Sequence, residues 1–120
     1  MMEQILTFKT LSDETRVRAL LLLSGEEELC VCELVYALEI SQPKISRHMA
    51  ALRDAGLVCS RREAQWVYYC INPELSEWQA QIVDASIESG RSEVLAISDR
   101  DRLLGMKNRP VRRSSFKETA

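Results

Sequence analysis

Two short segments decide how this chain folds: Glu28-Leu29-Cys30-Val31-Cys32-Glu33-Leu34 and Ser41-Gln42-Pro43-Lys44-Ile45-Ser46-Arg47-His48. The first leads into a short helix over residues 32–38, because Leu34 and Leu38 have the i, i+4 spacing of one buried helix face. The second begins another helix, since Ser41 can cap it and Pro43 fits its first turn, where a missing N–H has no cost. Two helices joined by a tight turn predict a helix-turn-helix.

Apolar periodicity predicts further helices around this pair. Residues 2–11 have helical spacing, and Ser12 or Asp13 can cap a following helix that Gly25 ends. After Pro73 we predict one long helix over residues 74–104, which Gly90 kinks or divides. In the helix that begins after Ser41, the side chains predicted to face the core are Ile45, Met49 and Leu52.

Residues 57–71 change from helical to alternating period. They are rich in β-branched and aromatic side chains, including Trp66-Val67-Tyr68-Tyr69, around a polar centre at residues 62–65. We interpret them as two antiparallel strands with a basic tip. The predicted fold is therefore mainly α with a small β-hairpin wing, a winged helix-turn-helix. One domain for DNA binding and dimerisation is expected over residues 1–104, followed by a basic, disordered tail over residues 105–120.

Charge is distributed unevenly along this 120-residue chain, whose net charge is −2. Residues 25–41 contain five acids and no base, whereas residues 42–66 contain five bases and two acids. Attraction to phosphate is local and is screened beyond about 10 Å, so a near-neutral chain with one basic region is compatible with nucleic-acid binding.

The composition indicates a cytoplasmic location and no contact with a membrane. The longest apolar run, residues 19–23, is far shorter than the roughly 20 residues that a membrane span needs. The first residues lack the pattern of a secretory signal. In the cytoplasm, four cysteines are expected to be free thiols, metal ligands or redox sensors rather than disulfides.

The helix that begins after Ser41 carries side chains suited to reading DNA. In a helix-turn-helix, the first residues of the second helix meet base edges in the major groove. Gln42 can bond adenine, while Lys44 and Arg47 suit guanine or phosphate. The same predicted surface includes Ser41, Pro43 and Ser46.

Four further polar residues are candidates for DNA contact. Arg61, Arg62 and Gln65 are expected to touch the backbone or minor groove from the wing, although a merely soluble hairpin is an alternative. His48, the only histidine, lies beside the reading face, and either a DNA contact or a packing hydrogen bond explains it.

Cys30 and Cys32 are candidate ligands for a soft ion. Residues two apart on a helix diverge by roughly 200°, so the two thiols converge only if Cys30 precedes the helix or the first turn opens. Soft thiolates favour soft ions. Such a site is mechanically coupled to the helix that positions the reading helix. The alternative is that both cysteines are small buried apolar residues.

These motifs, together with Leu11-Ser12-Asp13-Glu14-Thr15-Arg16, closely resemble the ArsR/SmtB family of metalloregulatory repressors, above all its arsenical-resistance branch. The resemblance covers about residues 3–95. It implies a homodimeric winged-helix repressor that binds double-stranded operator DNA without a cofactor. Trivalent arsenic or antimony would act as the inducer that releases it.

The chain departs from that branch at one informative position. Close relatives often carry a third cysteine one helical turn beyond the second, and Val35 occupies that position here. Cys59 and Cys70, on the two wing strands, are expected to be packing or edge residues. If Leu29 and Cys30 form a strand that pairs with the second wing strand, Cys70 could approach the thiol site, but its alternation with Tyr69 and Ile71 indicates that it faces outward.

Other functions fit the sequence less well. A thiol-redox or soft-metal sensor for cadmium or lead, on the same scaffold, is the main alternative. An enzyme is not expected, because the chain has neither a Cys-x-x-Cys motif nor a phosphate-binding glycine loop. A protein-interaction module would leave the polar face of residues 42–47 unexplained.

Overall fold

The computed structural model describes residues 1–111, so residues 112–120 of the predicted basic tail lie outside the described residues. Within residues 1–111 the order of elements is α1 Met2–Leu11, α2 Glu14–Ser24, β1 Leu29–Cys30, α3 Val31–Leu38, α4 Gln42–Asp54, β2 Val58–Glu63, β3 Trp66–Ile71, α5 Glu77–Gly90 and α6 Val94–Leu104. The predicted winged helix-turn-helix is confirmed, with α3 and α4 as its two helices and β2–β3 as its wing. In this part of the chain no helix is both long enough and apolar enough to span a membrane.

Side-chain capping was predicted at the start of α2 and of α4, and the structure shows it at α2. Asp13 caps α2 by accepting a hydrogen bond from the backbone N–H of Arg16 at 3.1 Å. Ser41 stands at the cap position of α4, but its side chain makes no capping hydrogen bond, so that part of the prediction is wrong. Pro43 lies in the first turn and has no N–H to donate, which removes one of the two usual partners of a capping hydroxyl.

The predicted long helix after Pro73 is divided into α5 and α6. α5 ends at Gly90, which lies against α2 so closely that a Cβ there would stand 3.1 Å from the Cδ1 of Leu21. The backbone N–H of Glu93 then bonds the carbonyl of Gly90, and α6 begins one residue later. The division allows α6 to fold back onto α2 and α3.

A third strand, β1, joins the wing to the helix-turn-helix. The sheet order is β1–β3–β2, and Leu29 and Cys30 pair with Tyr69 and Tyr68 of β3. Leu29 and Tyr69 belong to the main core. α4 is fixed to the same core by the three side chains that were predicted to face it, all fully buried: Ile45, Met49 and Leu52.

A buried ion pair fixes the far end of α3. Asp99 of α6, 1% exposed, accepts from Arg18 of α2 at 2.7 Å. Arg18 also donates to the carbonyl of Leu38, and Arg102 donates to that of Ala37 at 2.8 Å. Two arginines thus satisfy carbonyls that the C-terminal turn of α3 cannot satisfy itself. α6 therefore holds the first helix of the helix-turn-helix.

Candidate DNA-reading surface and thiol site

The start of α4 presents most of its predicted DNA-reading side chains to solvent. Ile45 and Met49 point into the core, which turns the opposite side of α4 outward. The predicted residues on this outward side that are exposed are Ser41, Gln42, Pro43, Lys44 and Arg47. Ser46 is half-buried beside them. The first two turns of α4 thus form one polar face with two cationic side chains.

His48 takes part in packing between α4 and α2. Its Nδ1 accepts a hydrogen bond of 3.0 Å from the Nε of Arg16 and lies 3.8 Å from the carboxylate of Asp13. The side chain is 21% exposed. Of the two roles considered for His48, the structure supports the packing hydrogen bond.

The wing exposes only two of its three predicted DNA-contacting residues. Its strands are joined by a two-residue turn in which Ala64 has a positive φ of 54°. Arg62 and Gln65 are exposed at this end of the hairpin. They remain the wing residues predicted to touch DNA.

Arg61 faces the other side of the sheet, so its prediction as a DNA contact is corrected. Its guanidinium bonds the carboxylates of Glu28 and Glu63, each at 2.9 Å, and lies 4.6 Å from the centre of the Tyr68 ring. Only 13% of its side chain is exposed. Successive strand residues point to opposite faces, so the sequence already indicated that Arg61 and Arg62 could not both face outward.

Cys30 and Cys32 converge at the start of α3. Their Sγ atoms lie 2.8 Å apart, and the backbone N–H of Cys32 donates to the Sγ of Cys30 at 3.3 Å. Cys30 is the cap residue and has extended backbone angles, φ −72° and ψ 153°. This is the arrangement that the spacing required, with Cys30 before the helix rather than in it.

The capping box that holds Cys30 includes a buried carboxylate. Glu33, 0% exposed, accepts a hydrogen bond of 2.8 Å from the backbone N–H of Cys30 through Oε1. Its Oε2 accepts from Arg109, which also bonds Glu26 at 2.6 Å. Arg109 lies in the tail that was predicted to be disordered, and its two ion pairs show that the prediction is wrong at this position. Sequence reasoning missed Arg109, because 76 residues separate it from Glu33.

Burial keeps the Cys32 thiol protonated at neutral pH. Cys30 is 1% exposed and Cys32 is half-buried. Burial, and next the hydrogen bond to Cys30, raises the pKa of Cys32 to about 12. An ion that binds the sulfur of Cys32 must displace its proton.

One cavity connects the thiols with both predicted DNA-contacting elements. Its volume is about 520 Å³. The residues that matter most among its lining are Cys30, Cys32 and Val35 at α3, Gln42 and Ser46 at α4, and Gln65 and Trp66 at the wing. A movement of the two thiols would therefore take place next to the surfaces that are predicted to face DNA.

The other two cysteines do not line the cavity into which this pair opens. Cys59 and Cys70 face each other across β2 and β3. Cys70 is 5% exposed, so its predicted outward orientation is wrong, and burial raises its pKa to about 11. Among residues 1–111 no group of three or more His, Cys, Asp or Glu side chains is placed to hold a metal ion. The candidate ligands within the described chain are thus the two thiols.

Fold and surface together define a bacterial regulatory protein of the winged helix-turn-helix class rather than an enzyme. The chain matches the family described as bacterial regulatory protein, arsR family, over residues 13–60. It is 52% identical over 107 residues to the arsenic resistance transcriptional regulator ArsR2 of Pseudomonas putida, covering 89% of this chain and 91% of that protein. The chain therefore belongs to the arsR family.

Two further comparisons agree with this membership. The arsenical resistance operon repressor of Escherichia coli is 49% identical over 90 residues, which cover 75% of this chain and 77% of that protein. Among solved structures, HlyU from Vibrio cholerae is 33% identical with a TM-score of 0.64, over 73% of this chain and 91% of HlyU.

Proposed function

We propose that this chain is a homodimeric repressor in the cytoplasm that leaves its operator DNA when trivalent arsenic or antimony binds Cys30 and Cys32. The observation that carries the proposal is the 2.8 Å separation of the two Sγ atoms, at the edge of a cavity shared with Gln42 and Gln65. The names of the relatives from Pseudomonas putida and Escherichia coli, which refer to arsenic resistance, support the choice of inducer.

DNA binding would rest on the exposed start of α4 and the tip of the wing. Lys44, Arg47 and Arg62 are exposed and can neutralise phosphates, or in the case of α4 bond guanine. Gln42 at the first helical position is suited to adenine. The low net charge of the chain does not oppose DNA binding, because phosphate attraction is local and these cations are exposed.

Dimerisation would bury the apolar surface of α1 and α5. Ile5, Leu6 and Phe8 are between 44% and 48% exposed on α1. A groove of about 590 Å³ between α1 and α5 is lined by Glu3 and Gln4 of α1 and by Trp78 and Ile82 of α5. A two-fold dimer pairs the same surface of both chains, so each α1 would cover the apolar surface of its partner.

In the proposed binding reaction, two hydroxides on arsenic are exchanged for two cysteine thiolates. Neutral arsenous acid, As(OH)3, reacts with the thiols of Cys30 and Cys32, forming two As–S bonds and releasing two molecules of water. The third position on arsenic keeps a hydroxide or takes an exogenous small thiol such as glutathione, because Val35 provides no sulfur. Thiolates are soft ligands and favour such soft centres.

Release would follow from the position of the pair at the start of α3. Each sulfur would bond arsenic in place of its 2.8 Å contact with the other sulfur, so the pair would have to rearrange. Cys30 is the cap residue of α3, and therefore the movement strains the capping box with Glu33. Because α3 packs against both α4 and β3, the displacement would pass to the start of α4 and to the wing.

The experiment is release of DNA from the reduced protein. A duplex is first selected from a random-sequence pool by the metalloid-free protein, and its binding is followed by fluorescence anisotropy. We expect release by arsenite and antimonite in the presence of a small thiol, and no release of a double Cys30→Ser, Cys32→Ser variant. Release by peroxide or cadmium but not by arsenite would replace the proposal with the redox or soft-metal alternative.

A further inference from the structure

The segment that follows α6 returns to the thiol site. Met106 lines the cavity into which Cys30 and Cys32 open. Three residues later, Arg109 donates through Nε to Glu33 and through a terminal nitrogen to Glu26, the latter at 2.6 Å. The side chain of Arg109 is 29% exposed, so most of it is packed against the protein.

Glu33 links Arg109 to the cysteines. Its Oε2 accepts from Arg109, while its Oε1 accepts from the backbone N–H of Cys30 at 2.8 Å. That second bond belongs to the capping box that keeps Cys30 extended. The extended conformation is what brings the two Sγ atoms together. The guanidinium, the carboxylate and the Cys30 N–H thus form one continuous chain of hydrogen bonds.

We propose that Arg109 is a positioning residue for the metalloid site, acting through Glu33 to hold Cys30 in the conformation that binds the inducer. The inference rests on the proposed function, since it takes Cys30 and Cys32 as the metalloid ligands. It assigns the first part of the basic tail to induction rather than to DNA.

The burial of Glu33 makes the contribution of Arg109 hard to replace. A carboxylate that is 0% exposed has little access to water, so a lost guanidinium bond is not exchanged for a bond to solvent. The planar guanidinium also reaches Glu26 and Glu33 at once, which a single-point donor does not do with the same geometry. Residues that orient metal ligands from outside the coordination sphere commonly affect affinity for the ion strongly.

The test compares Arg109→Ala and Arg109→Gln with Arg91→Ala in the full chain. Arg91 is a matched control, because its side chain is 60% exposed and its ion pair with the exposed Glu88 is long, at 3.4 Å. Binding of arsenite is followed by the absorption of As–S bonds, and release of the selected duplex by anisotropy. We expect both Arg109 variants to need about tenfold more arsenite in both measurements. Their affinity for DNA without arsenite should equal that of Arg91→Ala.

A double-mutant cycle separates positioning from a general loss of structure. Glu33→Gln keeps an oxygen for the Cys30 N–H but removes the charge that Arg109 bonds. If Arg109 acts through Glu33, the double variant should need no more arsenite than the more affected single variant. Effects that multiply would overturn the inference.

Failure of the inference is distinguishable from failure of the proposed function. If arsenite does not release the wild-type protein from DNA, the proposed function is wrong. If it does, and Arg109→Gln binds and responds at the wild-type arsenite concentration, only the role of Arg109 is overturned. Arg109→Gln decides the question even if Arg109→Ala does not fold.

Discussion

Arg61 of the wing and Glu28 of the loop before β1 form an ion pair that is almost wholly buried, with 13% and 1% of their side chains exposed. The pair joins strands that lie on opposite edges of the three-stranded sheet, since Glu28 precedes β1 and Arg61 belongs to β2. It spans the ring of Tyr68 on the central strand. The wing is therefore fixed to the loop that leads into the thiol site.

Replacing Arg61 by alanine should lower stability, whereas replacing Arg62 by alanine should weaken DNA binding. Arg61→Ala removes the guanidinium from the buried carboxylate of Glu28, and we expect the free energy of unfolding to fall by about 3–5 kcal/mol. Arg62→Ala removes an exposed side chain, so its effect on stability should stay within about 0.5 kcal/mol while DNA binding weakens. Urea unfolding and anisotropy measure the two effects. Equal losses of stability in both variants would contradict the assignment of faces.

Lys44→Ala and Arg47→Ala should weaken DNA binding without lowering stability. Each removes an exposed cation from the start of α4, and a bidentate base contact would be worth about 1–3 kcal/mol. A residue that contacts phosphate should instead reduce the salt dependence of binding. Arg53→Ala is the control, since Arg53 lies at the far end of α4 beside Asp54. Unchanged binding by both variants at fixed salt would reject α4 as the reading helix.

A negative charge introduced on the apolar surface of α1 should separate the proposed dimer into monomers. Leu6→Glu places a carboxylate on the exposed apolar surface of α1, where pairing with a second chain would bury it at high cost. We expect a monomer in analytical ultracentrifugation at micromolar concentration, whereas the wild-type protein sediments as a dimer. The wild-type dimer should protect two half-sites spaced by about 10 bp or a multiple of it. A wild-type monomer would contradict the proposal.

Short-range sequence patterns predicted most of the helices and strands. Contacts between residues distant in sequence could not be predicted from those patterns. Apolar periodicity and the capping signals at Asp13 and Gly25 depend on neighbours within a turn, and α1 and α2 lie where they predict. β1 has only two residues and exists because it pairs with β3 about forty positions later. Two residues carry no periodicity of their own, so the sequence raised this strand as a condition without deciding it.

The candidate site shows the same division. Helical geometry allowed Cys30 and Cys32 to converge if Cys30 preceded the helix or if the first turn opened, and the structure has the first of these arrangements. The partners of Arg61 and Arg109 lie 33 and 76 residues away, so the sequence predicted Arg61 as a DNA contact and placed Arg109 in a disordered basic tail. Both are in fact held by carboxylates, and only tertiary structure brings those carboxylates to them.

Serine in place of either thiol should abolish induction but not repression. Cys30→Ser and Cys32→Ser preserve side-chain size but remove the soft sulfur, so both variants should bind DNA and remain bound in arsenite. Cys59→Ser and Cys70→Ser are the matched controls and should respond like the wild-type protein. X-ray absorption of the arsenic-loaded protein, freed of small thiols, should show two sulfurs on each arsenic. Three sulfurs would implicate Cys59 or Cys70 as a further ligand.

The pH dependence of inducer binding should distinguish arsenite from cadmium. Because burial raises the pKa of Cys32 to about 12, this thiol is protonated throughout pH 6–8. Arsenous acid supplies hydroxides that take up the thiol protons as water, so arsenite affinity should hardly change over this range. Cadmium brings no base and must release the protons to solvent, so its affinity should rise by about tenfold per pH unit for each thiol deprotonated. Titrations at pH 6, 7 and 8 measure both slopes. A steep rise for arsenite would mean that a proton is released to solvent, and would contradict binding to neutral thiols.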